Sequence, residues 1–162
     1  MTGEELASLP YRPCVGVMLV DAERRVFVGK RIDNRIGDFW QMPQGGVDDG
    51  EDLRAAALRE LWEETGVTGE KVQIVAQARE EVVYDLPDEL MGKLWGGRFR
   101  GQRQRWFLAR FTGSDADIDL AAHQPPEFCE WKWVDPESLP ELIVPFKKDV
   151  YRTVLQEFLP LI

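Results

Sequence analysis

The chain has 162 residues, 44% of them hydrophobic and 30% charged, with a formal net charge of −9. That is enough chain for one domain with a buried core, and no stretch is long and apolar enough to span a membrane. Two cysteines, Cys14 and Cys129, and a single histidine exclude a disulfide framework, a four-cysteine zinc site and histidine-rich metal chemistry. Both cysteines read as small buried residues, and His123 as a loop residue.

In chain order, the opening "MTGEELASLPYRP" has no basic stretch followed by an apolar run. It carries no export signal, so the expected compartment is the cytoplasm. "VGVMLV" (Val15 to Val20) reads as a buried strand, "DAERR" as a turn and "VFVGKR" (Val26 to Arg31) as a partner strand. "IDNRIGDF" is a polar connection, "WQMP" a short extended piece ending at a proline, and "GGVDDGE" a loop. One strong helix follows, from about Asp52 to Thr65, with Asp49 or Gly50 as its cap and Gly66 as its stop. Ala57, Leu58, Leu61 and Trp62 form its apolar side. "KVQIVAQA" and "EEVVYDL" read as strands, and a long loop runs from Pro87 to about Gly101. "QRQRWFLARF" alternates as a strand, with Gln102, Gln104 and Trp106 on one face and Arg103, Arg105 and Phe107 on the other. "EWKWV" (Glu130 to Val134) is a further strand pointing Trp131 and Trp133 one way, and "PESL" opens a turn or short helix. "KKDVYRTVLQEFL" is an amphipathic terminal helix with Val150, Val154, Leu155 and Phe158 inward. Strands before, between and after two helices predict an α/β domain, a mixed sheet flanked by helices, with no boundary dividing the chain.

Charge is segregated. The stretch from Met91 to Arg110 holds Lys93, Arg98, Arg100, Arg103, Arg105 and Arg110 and no acid, while an acidic block lies upstream, from Asp48 to Glu64. An acidic centre beside a basic stripe suits a polyanionic substrate that arrives with divalent metal, although composition alone favours an ordinary solvated surface with uneven charge. Glu60, Glu63 and Glu64 fall within one helical turn. On spacing alone that is a solvated acidic face. Three features argue for a bound cation. Like charges this close destabilise a helix. Carboxylates are hard ligands suited to magnesium or manganese. And the helix is preceded by "PQGG", where Gly45 and Gly46 let backbone approach a ligand closely.

Gly45, Glu51, the run Arg59-Glu60-Leu61, the pair Glu63-Glu64 and the pair Gly66-Val67 stand at the full spacing of the Nudix box. In this the chain resembles Nudix hydrolases, which cleave nucleoside diphosphates linked to another group by means of divalent metal. The resemblance implies the Nudix fold, with a mixed sheet sandwiched between helices, over 1–162 with a core of about 11–158. It implies that Glu60, Glu63, Glu64 and the Gly45 carbonyl hold the metal, magnesium with manganese as a substitute. Arg59 and Glu51 would orient helix and loop, a role close to that of an ordinary Arg59–Glu63 helix pair.

"YRP", "WQMPQGG", "YDLP", "GQRQRWFL", "PPEFCEWKWV" and "VPFKKDVY" follow in the order of a narrower branch. That branch contains bacterial RNA pyrophosphohydrolases and plant-type asymmetric diadenosine tetraphosphate hydrolases. It adds Glu127 as a metal ligand and places Arg12, Val144, Phe146 and Lys147 at the nucleotide end. Gln44, Gln102, Arg103, Gln104 and Arg105 are candidates for the phosphate chain, of which only one strand face can point there. Tyr84 either packs on a base or buttresses the sheet. The expected substrate is a 5′-triphosphate RNA end trimmed to a monophosphate, or diadenosine tetraphosphate cut to ATP and AMP. No obligate protein partner is implied. Nucleotide-binding Nudix domains without catalysis typically lack one box carboxylate, and this chain has them all.

Overall fold

A computed structural model describes residues 3–33 and 37–162. Asn34, Arg35 and Ile36 of the polar connection lie outside the described residues. Strand β1 (Tyr11–Val20) is the axis of the sheet. From Cys14 to Val20 its residues are buried on both faces, which is why this part reads as an unbroken apolar run. Val15, Val17 and Leu19 join one apolar cluster, while Met18 and Val20 join the other.

After β1 come β2 (Val26–Arg31), β3 (Trp40–Gln41), β4 (Gln44–Gly46), helix α2 (Leu53–Thr65), β5 (Val72–Gln77), β6 (Val82–Asp85), β7 (Gly101–Phe111) and β8 (Phe128–Val134). β1 pairs in parallel with β7, from Tyr11 opposite Gly101 to Val20 opposite Arg110. All other pairings are antiparallel: β2 and β4 on β1, β3 and β8 on β2, and β5 and β6 on β7. Helix α2 covers one face with Ala56, Ala57 and Leu61 over Val15, Phe27 and Phe107. The other face is covered by α3 (Leu139–Leu142) and α4 (Lys148–Phe158), whose Val150, Tyr151, Val154 and Phe158 pack with Trp106 and Leu108. The expected sandwich of a mixed sheet between helices is therefore present. Among the described residues no helix is long and apolar enough to cross a membrane.

Several local expectations change. Gly45 and Gly46 are not in a loop but in β4, held by backbone bonds to β1 that carry no side-chain signal. The cap of α2 is Asp52, whose carboxylate accepts the Ala55 N–H at 3.0 Å. Asp49 and Gly50 lie in the turn before it, where the Glu51 N–H reaches the Asp48 carbonyl at 3.0 Å. Gly66 does end the helix, in the left-handed conformation at φ 75° that favours glycine. Trp62 is exposed and Leu58 half-buried, because α2 turns its glutamate side inward as well: Glu60, Glu64 and Thr65 are buried. Trp62 meets His123 edge-on at 5.5 Å on the outer surface. In α4 the buried Tyr151 stands beside the expected residues, while Leu155 is half-buried. Cys14 is buried as expected, but Cys129 is exposed. A short helix α1 (Gly3–Ala7) precedes β1.

Candidate active site

One guanidinium ties the start of the site together. Arg59 Nε and Nη2 each donate to Glu51 at 2.8 Å, one to each oxygen. Nη2 also donates to the Gly46 carbonyl at 2.9 Å, and Nη1 to Glu60 at 2.9 Å. Glu63, the ordinary helix partner, is reached only at 3.3 Å. Arg59 thus joins α2 to β4 and to the turn between them, and a planar fork of donors is the side chain suited to that. Its hydrogen bonds, with one from the Asp48 backbone, hold the Glu51 carboxyl down at about 2.

The carboxylates behind it are out of water. Glu60 is 7% exposed and Glu64 0%. Burial pushes Glu60 up to about 7; Glu63 adds to this and Arg59 opposes it. Burial also raises Glu64 well above the usual range, and the neighbouring Glu127 carboxyl raises it further. Glu64 Oε2 accepts the Gln44 N–H at 2.9 Å, but Oε1 is buried with no hydrogen-bond partner. Gly45 is bare because a Cβ there would run into the Glu60 carboxylate.

Among the described residues, no three histidine, cysteine or acidic side chains stand as a ready metal cage. Arg59 draws Glu60 and Glu63 toward itself. The donor set still fits a hard divalent cation. It is all oxygen, two of its carboxylates are desolvated, and one buried oxygen lacks a partner.

Glu60 and Glu127 line a cleft of about 640 Å³. The same cleft is lined by Arg12, Tyr84, Val144, Phe146 and Lys147, so the nucleotide-end candidates come together with two of the acids. The Tyr84 and Phe146 rings lie 6.0 Å apart, and Lys147 Nζ is 5.5 Å from the Tyr84 ring centre. Burial lowers Lys147 to about 8, with the Arg31 cation adding to it. Arg12 lies over the Trp95 ring at 5.6 Å. Tyr84 is buried in the apolar cluster yet also faces the cleft.

The two faces of β7 separate. Gln104 Nε2 donates to Gln44 and to Gln102, both at 2.6 Å, and Trp106 Nε1 donates to Gln104 at 2.9 Å. Gln44 and Gln102 line the cleft with Gln104 behind them. Arg103 and Arg105 do not join this site. Arg103 pairs with Glu81 at 3.3 Å, and Arg105 Nη1 donates to the Ala78 carbonyl at 3.1 Å. Period-two alternation puts them on the opposite face from the glutamines. The cleft also takes in Arg31, Gln41 and Lys93, which the sequence reading did not select. Lys30 and Arg31 close a strand that otherwise reads as apolar, and that break in pattern was the available signal.

The NUDIX domain family profile matches residues 10–154. The chain is 67% identical over 159 residues to a protein of Novosphingobium aromaticivorans named RNA pyrophosphohydrolase, covering 98% of this chain and 99% of that one. A protein of the same name from Erythrobacter litoralis is 62% identical over 154 residues, covering 95% and 94%. Among solved structures, the E. coli dihydroneopterin triphosphate pyrophosphohydrolase superposes with a TM-score of 0.70 at 23% identity, over 92% of this chain and 97% of that one. At that identity the likeness is one of fold.

Proposed function

The chain belongs to the Nudix hydrolase family, and from that premise we propose that it is a cytoplasmic RNA pyrophosphohydrolase. It trims a 5′-triphosphate RNA end to a monophosphate. The observation that carries this reading is the desolvated Glu60–Glu64 pair, with one unpartnered oxygen, beside a cleft that also presents cations and aromatic rings. The names of the relatives at 67% and 62% identity support the same substrate.

Glu60, Glu63, Glu64, Glu127 and the Gly45 carbonyl would hold the divalent metal, magnesium or in its place manganese. When bound, such a cation neutralises charge on the polyphosphate and makes an attacking water more acidic. Arg59 and Glu51 fix the pitch of α2 against β4. Glu63 or Glu127 accepts the proton of the attacking water, whose oxygen becomes bonded to phosphorus as the anhydride bond breaks. Phe146 and Tyr84 offer flat faces to an unpaired base, the usual way of reading a single-stranded RNA end. Arg12 and Lys147 supply positive charge, and with a pKa of about 8 Lys147 is mostly protonated at neutral pH. Gln44 and Gln102 offer amide groups along the phosphate chain.

A second reading has its own observation. Trp95, under the Arg12 guanidinium, gives the cleft another aromatic surface besides Tyr84 and Phe146. Two surfaces suit a substrate with two bases, such as diadenosine tetraphosphate cut to ATP and AMP. Incubation with each substrate, with and without magnesium, followed by product separation, tests both readings. Monophosphorylated RNA is the expected product, and no cleavage of triphosphorylated RNA excludes the first reading. In the same assay Glu64→Gln is expected to slow turnover by about 100-fold or more. Turnover near that of the parent would refute the role given to Glu64.

A further inference from the structure

Gln41 lines the cleft and is 7% exposed, yet its Nε2 is buried without a hydrogen-bond partner. A buried amide N–H that lacks an acceptor costs stability, and folded proteins rarely leave one so. The local geometry explains why no acceptor reaches it. Gln41 in β3 stands directly opposite Gly29 in β2. Opposed residues of an antiparallel pair share a face, and glycine offers no side chain there. Trp40 and Met42, its chain neighbours, turn the other way and pack against the cluster under α4.

The next residue of β2 on Gln41's face is Arg31, which also lines the cleft. The end of β2 is tied to the Glu127 segment, since the Ile32 N–H donates to the Glu127 carbonyl at 2.9 Å. Gln41 therefore stands on a wall that carries a guanidinium and a proposed metal-binding carboxylate. Neither that carboxylate nor any other acceptor of the cleft bonds the Gln41 Nε2. Of the parts of a nucleotide polyphosphate, the phosphates alone bring only acceptors and negative charge to a guanidinium.

The geometry points to Gln41 as a substrate-binding residue, whose side-chain N–H donates to a non-bridging oxygen of the polyphosphate chain. This rests on the pyrophosphohydrolase reading above. The last torsion of a glutamine is broad, so a modest turn of the amide brings its N–H to an oxygen in the cleft. The contact is to charge already present on the substrate. It therefore contributes equally to ground state and transition state, and shows in KM rather than kcat.

The test is steady-state kinetics of the full chain with magnesium and triphosphorylated RNA. Gln41→Met keeps the bulk and removes the donor; Gln41→Glu keeps the shape and adds a negative charge. Gln41→Met is expected to raise KM about 10-fold with kcat little changed, the cost of one hydrogen bond to a charged group. Gln41→Glu is expected to raise KM further. Without metal or substrate, Gln41→Met should melt no lower than the parent, since the unpartnered N–H is gone. KM within about twofold of the parent, or a loss confined to kcat, overturns the assignment. If the parent does not cleave triphosphorylated RNA, the functional reading fails, and calorimetric binding of inorganic tripolyphosphate decides on Gln41. Binding weakened about 10-fold in Gln41→Met supports the contact, and equal binding overturns it. Should Gln41→Met fail to fold, Gln41→Glu is read in the same two assays by the same criteria.

Discussion

In the metal-free protein, Glu60→Gln removes a carboxyl group that burial has raised from 4.5 to about 7. The folded state binds this proton more tightly than the unfolded chain does. The stability it contributes is fully present below pH 4.5 and is lost as the pH rises through about 7. The difference amounts to about 3 kcal/mol at most. Glu60 is only 7% exposed, so solvent screening takes little from it. For a chain of this length each kcal/mol moves Tm by about 2–4 °C. The parent in chelator should therefore lose up to roughly 6–12 °C between about pH 4.5 and pH 8.5 from this group. Glu64 acts in the same direction. Glutamine is neutral throughout and keeps an oxygen for Arg59, so the variant should show a flatter profile and exceed the parent at high pH. Added magnesium or manganese should reverse the order, stabilising the parent and leaving the variant nearly unmoved. Thermal unfolding in chelator and in excess metal, across this pH range, gives all four curves. A parent Tm that does not fall with pH in chelator, or a variant less stable than the parent at high pH, would refute the reasoning.

Gly45→Ala puts a methyl group where the Glu60 carboxylate lies. Metal affinity, read by titration of activity or fluorescence, should weaken about 10-fold or more, as for other changes that disturb a ligand's orientation; an unshifted midpoint would count against the close packing. Tyr151→Phe leaves the buried Met42 N–H without the Tyr151 oxygen it reaches at 2.7 Å. The cost should be about 1–3 kcal/mol in chemical denaturation, and a variant as stable as the parent would show that the bond is not needed.

What the sequence disclosed follows from which interactions leave a pattern in it. β1 was legible because burial on both faces demands a continuous apolar run, and β7 because its residues alternate. Helix α2 was legible because its acids and its terminal Gly66 stand at helical spacing. β4 was not, since Gly45 and Gly46 have no side chains to alternate and their strand pairing is made by backbone bonds. The two faces of β7 could be read, but not which of them meets the cleft, because that depends on where β4 and the segment at Phe146 lie. So the glutamines and the arginines stood level until the packing separated them. Arg59 was legible as an ion-pairing residue. Its bonds to Glu51 and the Gly46 carbonyl depend on a turn whose path the residue types alone do not fix. Gln41 gave no signal at all, because a missing partner is a property of its surroundings.

The parallel pairing of Tyr11–Val20 with Gly101–Phe111 also bears on how the protein is made. A ribosome delivers the first of these strands long before the second, and a non-local contact of this kind is slow to form. Until Phe111 has emerged, one edge of an almost wholly apolar strand has no neighbour, an arrangement prone to stick to other nascent chains. The same delay keeps Arg12 and Gln102, which meet across that pairing, apart until most of the polypeptide has been synthesised.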